Sequence, residues 1–219
     1  MNLTEQSMYA YVASNSHLVT SKVQLNGLRV LKYKNKVFYK DLWTPELCEC
    51  RGTVVELDEE NRALKIIQRP PTKIFNLHER NTRIHRDVMV TAPRKINGFM
   101  AAVTWWNDQP LVSTTGSCDS EFADMAMTML AETGAFDLAQ EFGGAVTWTY
   151  EIVHPNDPHI YPEEIGVYLL SSRRTSWDAK QHCFNEYILD QYANQFGLMR
   201  PEWYRMRFGD VVKMNKNVD

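Results

Sequence analysis

The sequence has few cysteines and no long apolar run. Its four cysteines are Cys48, Cys50, Cys118 and Cys183. They are too few and too scattered for a disulfide framework, and no second pair stands at zinc-finger spacing. No segment of about 18 apolar residues occurs, and residues 1–23 contain no apolar stretch typical of a signal peptide. The sequence therefore predicts a cytoplasmic protein with no membrane partner.

A strong excess of one charge is also absent, since 24 Lys and Arg against 27 Asp and Glu give a formal net charge of -3. A polyanion would therefore have to meet a local basic patch rather than the protein surface as a whole. The apolar fraction of 44% and the charged fraction of 23% exclude disordered, collagen-like and coiled-coil chains. A packed domain of enzyme size remains, and 219 residues are enough to bury a core.

Hydrophobic patterning places strands through the middle of the chain and helices around them. Predicted helices cover residues 3–13, with Thr4 as cap, a segment from Asp119 or Ser120 to Leu130, and residues 184–196. Predicted strands cover residues 28–33, 37–39, 52–57, 63–68, 88–91, 99–106, 111–114, 145–153 and 167–171, the first four forming two hairpins. Because strands and helices do not alternate, the pattern favours one α+β domain with an antiparallel sheet.

Two basic segments could bind phosphate. In Lys95-Ile96-Asn97-Gly98, a lysine ends one strand and a glycine follows where the backbone turns. Arg51 begins another strand, and the loop at residues 69–77 holds Arg69 and Lys73 four residues apart behind two stiffening prolines. The alternatives are a hairpin-edge lysine and a solvated basic loop.

Several other residues have two open interpretations. Glu151 shares a strand face with Thr149 and Val153, and is either a solvent-side residue or an acceptor pointing into a site. The Arg173-Arg174 pair either meets RNA phosphates or is an ordinary exposed basic pair. Cys118 is expected to be an inert thiol.

Taken in chain order, five blocks resemble the successive motifs of the phage-type RNA ligase 1 family, which belongs to the covalent nucleotidyltransferase superfamily. The blocks are residues 48–52, 69–79, 95–98, 115–117 and 150–153. The block at residues 69–79 is the one specific to this family, because the whole superfamily shares the lysine tetrad, residues 95–98. The resemblance extends over about residues 33–174.

This resemblance implies an antiparallel-sheet nucleotidyltransferase (ATP-grasp-like) domain with flanking helices. It also implies an ATP-dependent RNA ligase that uses Mg²⁺ and acts on RNA ends. Lys95 would attack ATP to form lysyl-AMP, and the AMP would pass to an RNA 5′-phosphate that a 3′-hydroxyl then joins. The nucleotide-binding residues implied are Tyr33, Arg51, Lys73, Asn97, Gly98 and Glu151. Metal ligands are not identified, and no oligomeric state is predicted.

The sequence departs from the family pattern at four places, one of which is the segment at residues 154–160. Asn97 stands where the family usually has aspartate, and Thr115 where some members carry lysine. Two final motifs, a Glu-Gly strand and a Lys-x-Lys strand, have no convincing match in residues 206–219. We therefore expect residues 1–219 to form an adenylyltransferase domain that ends before those motifs, with a C-terminal portion missing. The alternative is a catalytically impaired nucleotide- or RNA-binding fragment of such a ligase.

Overall fold

The computed structural model describes residues 3–58, 64–157, 159, 161–177 and 183–215. The chain divides into two compact units. The first consists of Met1–Lys73 and Asn97–Arg200, and the second of Ile74–Ile96 and Pro201–Asp219. Among the described residues, no helix has both the length and the hydropathy needed to cross a bilayer.

The first unit begins with helix α1 (Glu5–Ser14) and a four-stranded antiparallel sheet. Thr4 caps α1 as predicted, and Ser7 completes a reciprocal capping box with it. The strands are β1 (Val19–Val23), β2 (Arg29–Tyr33), β3 (Arg51–Leu57) and β4 (Leu64–Gln68), paired in that order. The predicted β3–β4 hairpin is therefore confirmed, although its turn lies outside the described residues.

The other predicted hairpin, over residues 28–39, is wrong. Its first half is β2, but its second half is the short helix α2 (Asn35–Tyr39). Strand β2 instead pairs with β1, which the sequence prediction missed. Only Val37 of the Val-Phe-Tyr run is fully buried, and so short a run does not distinguish a helical from a strand period.

A second four-stranded antiparallel sheet, in the order β7-β6-β8-β9, completes the first unit. Its strands are β6 (Phe99–Trp106), β7 (Gln109–Ser113), β8 (Val146–Val153) and β9 (Gly166–Arg174), all four predicted with small boundary differences. The helices of this part are α3 (Pro45–Glu49), α4 (Glu121–Ala131), α5 (Ala135–Phe142) and α6 (Glu186–Phe196). Ser120 caps α4 as expected, whereas α3 and α5 were not predicted.

The main core lies between this second sheet and helices α4, α5 and α6. Trp148, Tyr150 and Ile152 point from β8 into it and are fully buried. Apolar residues of the three helices, such as Leu130, Leu138 and Leu189, pack against them. Burying side chains of this size supplies the main stabilisation of the sheet–helix packing.

The two sheets of the first unit are connected by buried polar contacts. Gln68, at the end of β4, donates to the Leu111 carbonyl at 2.9 Å and accepts from the Ser113 hydroxyl. The backbone N–H of Arg69 donates to the Thr147 hydroxyl at 2.8 Å. These bonds satisfy polar groups that would be costly to bury alone, and they fix where the chain leaves β4.

The second unit contains a two-stranded antiparallel sheet and helix α7 (Phe208–Asn215). Its strands are β5 (Met89–Pro93), predicted from the sequence, and β10 (Trp203–Arg207), which was not. The Phe208 and Gly209 N–H groups donate to the Val88 and Arg86 carbonyls, which anchors the start of α7 on the segment before β5. The predicted α+β class with antiparallel sheets is confirmed.

Candidate functional site

The start of β3 places Arg51 beside β6. Thr44 caps helix α3 by accepting from the Leu47 N–H, and the helix ends immediately before β3. From there Arg51, which is half-buried, reaches the Met100 sulfur with Nη1 at 3.2 Å. Met100 stands opposite Glu151 in the β6–β8 register, so the guanidinium lies at the part of the sheet that holds Glu151.

Glu151 lies against the turn of the lysine tetrad. Its Oε1 accepts from the Gly98 N–H at 3.1 Å. Glu151 therefore accepts from the backbone of this turn, and its role in nucleotide binding stays a prediction. A Cβ added at Gly98 would lie 2.3 Å from the Ile152 carbonyl oxygen, so only glycine allows the turn to approach β8 this closely.

Asn97 is held by a second glutamate that the sequence analysis did not select. The Asn97 backbone N–H and side-chain Nδ2 donate to Glu163 Oε1 at 3.3 and 3.1 Å. Glu163 is half-buried in the segment between β8 and β9. No local pattern marks it, because the pairing joins positions 66 residues apart.

Tyr33 and Lys73 both contact the ring of Trp43. The rings of Tyr33 and Trp43 pack edge to face with centroids 4.7 Å apart, and the Lys73 ammonium lies 5.8 Å from the Trp43 ring centroid. The backbone N–H of Lys73 donates to the Cys48 carbonyl, and that of Tyr33 to the Cys50 carbonyl. Both predicted residues are thereby attached to the segment that leads into Arg51.

A buried ion cluster fixes the loop that carries Lys73. The Glu49 carboxylate accepts from Arg69 Nη2 at 2.9 Å and from Arg173 Nη1 and Nη2 at 2.8 Å each. Arg173 also donates to the Pro70 carbonyl, and the Arg69 guanidinium stacks on Trp177 at 4.2 Å. All three charged residues are at most 4% exposed.

This cluster corrects two sequence interpretations. Arg69 is buried against Glu49, so it is neither a phosphate ligand nor part of a solvated loop. Arg173 is also buried against Glu49, so it is not an exposed RNA contact. Burial lowers the pKa of Arg69, while its hydrogen bond to Glu49 opposes that shift. Glu49 was missed, although a carboxylate flanked by two cysteines was a signal that it could be buried.

The turn at residues 115–117 lies beside the same strands. A Cβ on Gly52, whose φ is +92°, would come within 3.0 Å of the Thr114 oxygen, so glycine permits β3 to pass close to this turn. The Lys32 ammonium lies 3.2 Å from where a Cβ on Gly116 would stand, and Lys32 is opposite Arg51 in the β2–β3 register. A lysine of β2 thus stands at the turn where Thr115 replaces the lysine of some family members.

A comparison with models of protein families identifies the family of this chain. A family model described as RNA ligase matches residues 49–217. The chain belongs to the RNA ligase family. This match confirms the family that the five motif blocks predicted.

Solved structures agree with the RNA ligase family assignment at the level of fold. An archaeal ATP-dependent RNA ligase, form 1, superposes with a TM-score of 0.60 and 14% identity, covering 95% of this chain and 52% of the archaeal chain. Form 2 gives a TM-score of 0.60 and 16% identity, covering 96% and 54%. This RNA ligase family member thus has the nucleotidyltransferase fold, and it spans about half the length of those chains.

Lys95 lies in the second unit of this RNA ligase family member, two residues before Asn97. It is solvent-exposed, and its Nζ is 3.5 Å from the Ile96 carbonyl oxygen. Its role as nucleophile stays a prediction. Within the described ranges, no group of three or more His, Cys, Asp or Glu side chains is arranged to hold a metal ion.

Proposed function

We propose that this chain is the adenylylating portion of an ATP-dependent RNA ligase. The observation that carries the proposal is two groups of contacts within the first unit, one around Trp43 and one around Met100 and the turn of residues 97–98, which together involve six residues. They are Tyr33, Arg51, Lys73, Asn97, Gly98 and Glu151, the same residues that the family resemblance assigns to nucleotide contact. The contacts combine cations, an aromatic ring and a carboxylate, which are the groups that a nucleoside triphosphate requires.

In the proposed reaction, the uncharged Lys95 amine attacks the α-phosphorus of ATP. An N–P bond forms, the bond to the bridging oxygen breaks, and pyrophosphate leaves with the electron pair while the amine loses its proton to solvent. Arg51 and Lys73 neutralise charge that spreads over the phosphoryl oxygens in the transition state. Tyr33 and Glu151 position the nucleoside.

The AMP then passes from Lys95 to an RNA 5′-phosphate. A phosphate oxygen attacks the α-phosphorus, and the lysine nitrogen leaves and regains a proton. The 3′-hydroxyl of the other RNA end next attacks the activated 5′-phosphate, and AMP departs as the phosphodiester forms. On this proposal, RNA ends and ATP are the substrates.

A magnesium ion fits the residues at the tetrad turn. Mg²⁺ in phosphoryl-transfer sites is usually held by one or two carboxylates together with substrate phosphates. Glu151 reaches the Gly98 end of this turn and would supply such a carboxylate. When bound, the ion would supply positive charge that stabilises the transition state of phosphoryl transfer.

The boundaries of the functional domain belong to the same proposal. Residues 1–219 would form an adenylyltransferase domain that works in the cytoplasm. Support comes from the family match, which extends over residues 49–217. Residues 208–215 form helix α7, and they do not provide the Glu-Gly strand expected as the next motif.

Incubation with α-labelled ATP and Mg²⁺ tests the proposal. The protein should acquire label in an acid-labile bond that phosphatase does not remove, and Lys95→Ala should acquire none. Lys213→Ala is a matched control, because Lys213 is an exposed lysine of the same unit paired with Asp210. Equal labelling of wild type and Lys95→Ala, or no label on wild type, would contradict the proposal.

A second candidate is a nucleotide-binding fragment without catalysis. Asn97 favours it, since asparagine at this position removes a charge from the tetrad. ATP would then raise the melting temperature by mass action without forming a covalent adduct. An unchanged melting curve with both ATP and RNA would exclude this candidate.

A further inference from the structure

Two carboxylates hold consecutive backbone amides of the tetrad turn. Glu163 accepts from the Asn97 N–H at 3.3 Å, and Glu151 accepts from the Gly98 N–H at 3.1 Å. The glutamates come from opposite ends of the β8–β9 connection, one within β8 and the other shortly before β9. The turn that follows Lys95 in the chain is therefore fixed on both of its amides.

Glu163 makes one additional contact that Glu151 does not share. Its Oε1 also accepts from the side-chain Nδ2 of Asn97 at 3.1 Å. A primary amide that donates a hydrogen bond to a carboxylate forms a pair with one negative charge, whereas the amide alone carries no charge. The Glu163 carboxylate thus places one negative charge at this turn, within a hydrogen bond of the Asn97 side chain.

We propose that Glu163 is a positioning residue for adenylylation, supplying through Asn97 the negative charge that asparagine does not itself carry at the turn that follows Lys95 in the chain. The inference rests on the proposed function and adds a residue that lies in none of the five motif blocks. Glu163 acts by holding and polarising Asn97. Glu163 lies in the connection between two strands, and no sequence motif there predicts such a role.

Exchange of the two side chains separates charge from shape. Glu163→Gln keeps an acceptor oxygen near Asn97 and removes the charge. Asn97→Asp with Glu163→Gln moves the carboxylate to position 97 and the amide to position 163, so the pair keeps its charge and its hydrogen bond. Glu164→Gln is the matched control, because Glu164 is an adjacent, exposed glutamate.

Single-turnover labelling with α-labelled ATP gives the rates to compare. We expect Glu163→Gln to lose about ten- to a hundredfold in the rate of label uptake, because misplacing a reacting group by about 1 Å can cost about a hundredfold. The double variant should recover to within a few-fold of wild type, and Glu164→Gln should match wild type. Melting curves of all variants check that they are folded.

The Asn97→Asp variant gives a pH signature that a purely structural role would not produce. It places two carboxylates within hydrogen-bonding distance, and such a pair shares a proton. Its labelling rate should therefore fall as the pH rises and that proton is lost, relative to the wild-type profile. An unchanged profile would overturn the inference.

The remaining outcomes distinguish this inference from the proposed function. If wild type takes label and Glu163→Gln takes it equally fast, the inference alone is overturned. A double variant no faster than Glu163→Gln, or an equal loss in Glu164→Gln, overturns it as well. A wild-type protein that takes no label overturns the proposed function and this inference together.

Discussion

Glu49 gives the most demanding test of how the Lys73 loop is held. Its carboxylate accepts from Arg69 Nε and Nη2 at 3.4 and 2.9 Å, and from two Arg173 nitrogens at 2.8 Å each. Glu49→Gln preserves the volume but leaves one neutral acceptor oxygen for these N–H groups and turns an NH₂ group toward a guanidinium. Two buried cations then lose their counter-charge.

Removing one partner from a buried ion cluster costs about 3–5 kcal/mol, because the remaining charges stay desolvated. Domains are stable by only about 5–15 kcal/mol, so Glu49→Gln should lose a large part of the free energy of unfolding. Urea denaturation followed by circular dichroism measures the loss, and the m value checks that the transition stays two-state.

The matched control is Glu121→Gln, an exposed glutamate in the first turn of α4. It should cost at most about 1 kcal/mol, the contribution of a favourable helix-end charge. A loss for Glu49→Gln no larger than that of the control would refute the reasoning. It would mean that the two guanidiniums find other acceptors or reach water.

Three further predictions follow from buried or constrained groups. Gly98→Ala forces a methyl group against the Ile152 carbonyl and should lower stability by about 1–3 kcal/mol, and an unchanged melting temperature would argue against the close approach. Burial raises the pKa of Cys118 to about 12, so at mildly alkaline pH a thiol reagent should modify exposed Cys183 first, and equal rates would contradict this order. A hydrogen bond from a serine hydroxyl holds the pKa of Asp119 below its usual range, so its stabilisation is present at neutral pH and lost as the pH falls through the folded-state pKa. Asp119→Asn should therefore be less stable than wild type at neutral pH and equal to it in acid; a difference that persists in acid would exclude this origin.

The sequence predicted those elements whose pattern is long and regular. Strand β8 alternates large apolar residues over eight positions, so its type was predictable. Helix α4 carries a serine cap and helically spaced apolar residues. Strand β1 was missed because it lies at a sheet edge, and Thr20, Ser21 and Lys22 provide no apolar alternation.

The candidate site was predictable only where a motif names its residues. Glu163 belongs to no local pattern, and the partners of both Glu49 and Glu163 include residues far away in the chain. A single sequence shows that Arg69 needs an anion when it is buried, but it does not show which glutamate provides it. Long-range pairing of this kind requires the fold.

Mapping of the bound nucleotide tests the central claim most directly. After incubation with ATP and Mg²⁺, peptide mass spectrometry under conditions that preserve phosphoramidates should find AMP on Lys95. The peptide containing Lys213 should remain unmodified. AMP on another residue, or its absence from every peptide of a protein that binds ATP, would contradict the assignment of Lys95 as the nucleophile.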